Sequence, residues 1–194
     1  MGSVNVQHAN SDHASAGRAI WTALIVVAGG TMSLFFACAT PFAALATLAA
    51  SKTERRDTAL AVGLVWLLNQ VIGYGFLGYP WRWDSFAWGA AIGVGAGMGL
   101  VAAIALAPTR KGPFAVSLPF VGAFAAYEFT LYLASFVLPT EPYAFTLLVV
   151  REIFVVNAVS LVGLMFAHWL ATMAGLLTDP ADQDVSFNRA LSVH

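Results

Sequence analysis

The sequence predicts an all-α integral membrane protein, a bundle of five transmembrane helices, or of six if the first apolar run folds back on itself. Composition and layout carry that prediction. Of 194 residues, 59% are hydrophobic and only 10% are charged, whereas about a quarter of the residues in a soluble domain are charged. The mean hydropathy is +0.77. The apolar residues are gathered into a few long runs separated by short polar loops, and about 20 such residues in a helix suffice to cross the ~30 Å hydrocarbon core of a bilayer.

One transmembrane domain is expected over residues 19–177, between a flexible polar tail at 1–18 and a polar cytoplasmic tail at 178–194. The first tail lacks an apolar face and cannot bury enough surface to offset the entropy of ordering. Its His8 and His13 read as solvated. A net charge of −1, with the few basic residues in short loops, leaves no basic face for nucleic acid. The single cysteine, Cys38, excludes an internal disulfide and an all-cysteine metal site.

Residues 19–50 form the first apolar run. As one helix it would extend ~45 Å, longer than the hydrocarbon core, so it must tilt, kink or fold back. Pro41 and the Gly29-Gly30 pair are its weak points. The charged loop 51–57 follows with Lys52, Arg55 and Arg56, and then a second run, 58–77, holding Asn69 and Gln70 with Trp66, Gly73 and Tyr74 one turn away. The link 78–84 sets Tyr79, Trp81 and Trp83 beside Arg82. Aromatic residues of this kind anchor at a membrane interface; an aromatic ligand cage is the alternative. In the third run, 85–107, Gly89, Gly93 and Gly97 recur at every fourth place, with Gly95 and Gly99 on a neighbouring row. Small residues at this spacing let helix backbones approach closely in lipid, which suits contact with a partner membrane subunit or a second copy of the chain. The turn 108–113 carries Arg110 and Lys111, the fourth run, 114–138, carries Glu128, and the last, 143–177, carries Arg151, Glu152, Asn157 and His168.

Loops 51–57 and 108–113 hold most of the lysine and arginine, so they are expected in the cytoplasm, with the protein in a bacterial inner membrane. With five spans the N-terminus lies outside and the C-terminus inside. With six, both ends lie inside.

Ionisable and amide side chains inside membrane helices are costly and mark functional sites by default. Counted from the outer turns, Asn69, Gln70, Glu128 and Arg151 fall roughly 12–17 Å below the outer face, so a shared polar site is expected, with Glu128 and Arg151 as an ion pair and Asn157 added from the last helix. The rival reading is a satisfied pair that only fixes helix register. Cys38, Met98 and His168 share an inner depth and are ligand types that suit soft metals or haem, but isolated residues of these kinds read first as packing. No metal site is expected and no cofactor is specified.

Nucleophile-elbow, zinc-protease and phosphate-loop motifs are absent from the sequence. An enzyme using Glu128 or His168 as acid or base would lack the partner groups a mechanism needs. The size and hydropathy layout, with an alanine-rich first helix, resemble the S-components of energy-coupling factor systems, the substrate-binding membrane subunits of vitamin-type transporters. The resemblance rests on size and layout, so it assigns no residue a role. Two functions are expected to compete: a transporter or membrane-embedded binding subunit for a small solute or ion, and a non-catalytic accessory subunit that docks through the glycine-rich helix.

Overall fold

The computed structural model describes residues 19–20, 22–31, 40–52, 55–107 and 115–174. Both tails, Cys38 and the 108–113 loop lie outside the described residues. Six helices are described: α1 (Thr22–Thr31), α2 (Phe42–Lys52), α3 (Arg55–Gly75), α4 (Trp83–Leu106), α5 (Ser117–Ala134) and α6 (Leu147–Met173), and no strand is found among the described residues. Four of them, α3 to α6, are long and apolar enough to cross a membrane.

The first apolar run is not one long helix. Its described part is two short ones, α1 and α2. Pro41 sits immediately before α2; it has no N–H to donate and its φ is preset for a helix start, so it opens a helix at little cost but would break one from within.

α2 is the core of the bundle. Residues 40–49 are all buried, and α2 packs on α3, α4, α5 and α6. Ala43, Ala44, Ala46 and Ala49 are each at most 1% exposed; their small side chains let four helices close around one, and a helix apolar on every side is stable only when buried. Its hydroxyls are satisfied locally: Thr47 Oγ1 donates to the Ala43 carbonyl and Ser51 Oγ to the Thr47 carbonyl, both at 2.7 Å. Thr58 Oγ1 donates to the Ala49 carbonyl at 3.1 Å and ties the start of α3 to the end of α2.

α1 packs low on this core. A Cβ on Gly29 would meet Val65 of α3 and Leu45 of α2, while Leu24, Val27 and Ala28 face Leu164, Ala167 and Ala171 of α6 across an apolar cavity of about 420 Å³. These contacts put α1 in the same half of the bundle as α2, the half where α6 ends.

The glycines of α4 split between two neighbours. Gly89 and Gly93 face α3, where a Cβ on Gly93 would come within 2.8 Å of the Trp66 indole and one on Gly89 would clash with Gln70. Gly95 and Gly99 face α5, with a Gly99 Cβ 3.0 Å from the Ala123 carbonyl oxygen. Gly97 is exposed and a Cβ there would touch nothing within 4 Å. Within the chain, Gly97 therefore does not share the α3 contact of Gly89 and Gly93. At 3.6 residues per turn, each four-residue step drifts by about 40°, and two steps carry Gly97 out of the contact.

Opposite the α2–α3 end, two turns meet. Trp88 Nε1 donates to the Pro139 carbonyl at 2.9 Å and joins α4 to the α5–α6 link. In the α3–α4 link Gly78 takes a positive φ of 71°, a conformation that costs glycine little, and the chain returns so that Tyr79 N donates to the Gly73 carbonyl at 3.0 Å. Tyr74 then packs against Tyr79, Trp81 and Phe86 with ring centroids 4.8–5.9 Å apart. The rings pack on one another.

Candidate functional site

α2 has eleven residues and so extends only about 16 Å. It starts inside the bundle, and the first N–H groups of any helix have no partner within it. In an apolar interior they must find partners outside the helix, and Phe42 N donates to the Thr40 carbonyl at 2.8 Å. Asn157 of α6, 1% exposed, supplies one: its Oδ1 accepts from Ala44 N at 3.4 Å, and its Nδ2 donates to the Ile153 carbonyl at 3.0 Å. On the opposite flank Asn69 Nδ2 donates to Thr40 Oγ1 at 2.8 Å, and Gln70 Nε2 donates to Asn69 Oδ1 at 3.1 Å. Trp66 fixes the register of α3 on α4 through Nε1 and the Gly89 carbonyl, 2.9 Å apart.

α5 closes the third side. The Tyr127 ring lies 5.8 Å from that of Phe42, the first residue of α2. The next residue is Glu128, 9% exposed, whose buried Oε1 has no hydrogen-bond partner among the described residues. One turn before it, Phe124 meets Phe154 of α6 edge-on at 5.0 Å. Among the described residues Glu128 is the only buried acidic or basic side chain.

The structure thus brings Asn69, Gln70 and Asn157 to the start of α2, with Glu128 next in the chain to Tyr127, whose ring meets Phe42. Arg151 does not join them. It is exposed, as is Glu152, and no ion pair links it to Glu128. The helix begins late, at Leu147, after a turn at residues 142–145 and an extended N-cap at Thr146. Arg151 is therefore only in the second turn of a 27-residue helix, on its exposed side.

Of the inner-depth residues, Cys38 lies outside the described ones. Met98 is 48% exposed on α4, His168 is half-buried on α6, and no group of three His, Cys, Asp or Glu side chains able to hold a metal ion occurs among the described residues.

Sequence reasoning missed Thr40 and the helix start beside it. The signal was present: Thr40-Pro41 ahead of an alanine-rich run matches a capping residue followed by proline at a helix start. The Asn69–Thr40 bond should be measurable as coupling. A double-mutant cycle with Asn69→Ala and Thr40→Ala is expected to give about 0.6 kcal/mol, and at most ~1.7, the range of interhelical hydrogen bonds in lipid. Strictly additive losses in detergent stability would remove this bond from the account.

The chain matches no protein-family model, and searches of curated proteins and of solved structures return no match to it. The function must be argued from the site.

Proposed function

We propose that the chain is a membrane transporter, or a membrane-embedded substrate-binding subunit, for a small solute or ion, and that its site lies at the start of α2. The observation that carries the reading is a short buried helix that begins inside the bundle, with Asn69, Gln70 and Asn157 bonded at its start and the buried carboxyl of Glu128 next to Tyr127, whose ring meets Phe42. Discontinuous helices whose ends meet polar groups near the bilayer midplane are how transporters bind solutes and ions. Irregular backbone at that depth is tolerated only when protein buries it or it lines a water-filled cavity.

In this reading α3 to α6 are the full spans, and α1 and α2 form a re-entrant pair entering and leaving on one face. Both chain ends then lie in the cytoplasm, as do loops 51–57 and 108–113. The bilayer is the partner of the exposed apolar faces. A cysteine placed at Thr109 in a Cys38-free protein should react with an impermeant thiol reagent only after the cells are opened; reaction in intact cells would invert the topology.

Glu128→Gln tests the site. Native mass spectrometry of gently extracted protein should show a co-purifying ligand with the wild type and its loss from the variant, while helical circular dichroism is unchanged. Ligand retained by the variant would take Glu128 out of the site.

The accessory-subunit reading draws on a different observation: Asn69, Gln70 and Asn157 all spend hydrogen bonds within the chain, as register-fixing groups do. Gly89 and Gly93 are filled from α3, so docking would fall to the exposed side of α4 around Gly97. Loss of a native complex in Gly97→Leu, with ligand absent throughout, would favour it.

A further inference from the structure

The transport reading leaves open which ion, if any, acts at the buried carboxyl, and the surroundings of Glu128 narrow the choice. It lies on α5 one turn beyond the Phe124–Phe154 contact and next to Tyr127, whose ring faces Phe42 and Gly95. Leu131, one turn on, is partly buried against the core. A metal cation needs many oxygen ligands, about six to eight for calcium. Glu128 brings two, and no hydroxyl, amide or carbonyl is bonded to its buried Oε1 among the described residues. A proton needs a single oxygen.

Charged groups that would compete for the carboxyl are distant or turned away. α2 has no ionisable residue from Phe42 to Ser51, and the only one on α4, Asp84, sits in the first turn and pairs with Arg82 at 3.2 Å. On α6, Arg151 and Glu152 are exposed, and His168 lies 17 residues beyond Arg151, roughly 25 Å along the helix. Within α5 the nearest titratable groups are Tyr127 and Tyr132, the latter 46% exposed with its ring against Phe136.

We infer that Glu128 is a reversible proton-binding site and that the proton is the coupling ion for movement of solute at the start of α2. The carboxylate accepts a proton from hydronium on one side of the membrane, leaving water and the neutral acid, and returns it to water on the other side; no electrons move. This inference rests on the transport reading, and the two can fail separately.

The test is infrared difference spectroscopy of the full-length protein in lipid nanodiscs during a pH titration. The wild type should show a protonated-carboxyl C=O band that grows as pH falls. The band should vanish in Glu128→Gln and shift in Glu128→Asp, which also serves if the glutamine variant does not fold. A wild-type spectrum in which neither variant alters any titrating band would overturn the site, as would a carboxylate band that responds to sodium or calcium at constant pH and not to pH. A titrating Glu128 band in protein that carries no co-purifying ligand would support the proton site and count against the solute site.

Discussion

Gly99→Leu is expected to abolish most of the folded protein recoverable in detergent, and Gly97→Leu, two residues away, to leave it at the wild-type level. At Gly99 the first added carbon would already lie 3.0 Å from the Ala123 carbonyl oxygen and 3.7 Å from the Tyr127 Cβ. The nearest obstacle is backbone, which cannot rotate aside as a side chain can. A leucine adds three further carbons, so α4 and α5, the most extensive helix pair in the bundle, would have to separate along their length. Over-packing of a close contact costs about 1–3 kcal/mol and occasionally more, and even one or two kcal/mol change the ratio of folded to unfolded protein about 5- to 30-fold. In lipid the loss is not cushioned by hydrophobic association, because helix pairing there depends on packing itself. At Gly97 the new side chain points into open space. The readout is monodisperse yield by size-exclusion chromatography, and equal yields for the two variants would put α5 elsewhere than against Gly99.

The same helix shows what the sequence made legible. The four later apolar runs read from the sequence, 58–77, 85–107, 114–138 and 143–177, contain or nearly coincide with α3 to α6, because hydropathy over some twenty residues reports the solvent a helix must face. Which residue faces which neighbour is not in that signal. The Gly89–Gly93–Gly97 row was read as straight, and rotation by about 40° per step separates its members. The ion pair between Glu128 and Arg151 is absent for a related reason: depth does not set which way a side chain faces, and Arg151 lies on the exposed side of α6 while Glu128 is buried. The first run was the least legible. Alanine-rich α2 is less apolar than α4, α5 and α6, yet it is the element the others enclose, and of the two weak points in the run, Pro41 and Gly29-Gly30, the helix is interrupted at Pro41 while the glycines lie within α1. The amides were the clearest signal of the site. Asn69, Gln70 and Asn157 are costly in an apolar run unless something accepts and donates, and two of them meet the residues at the start of α2 directly, with Gln70 held by Asn69.

Asn157→Leu tests whether that start is held from α6. The side chain is 1% exposed and bonds the Ala44 N–H, a first-turn donor of α2, across 113 residues of sequence. Leucine has the same branched skeleton with bulkier methyl ends, so the change removes a hydrogen bond and opens no hole, and any over-packing adds to the loss. What remains is a backbone N–H in a dry interior, and stranding such a donor costs about 1–3 kcal/mol. The contact is long at 3.4 Å, which places the expected loss at the lower end of that range. Thermal stability in detergent should therefore fall, while Val159→Leu, on the 67% exposed side of the same helix, should leave it unchanged. Hydrogen exchange locates the effect: exchange should speed up at the first turn of α2, at Ala44 above all, and stay slow in the middle of α4, whose packing on α5 does not involve Asn157. Unchanged protection at Ala44 would mean that α2 begins where it does without help from α6, and that Asn157 is buried for some other reason.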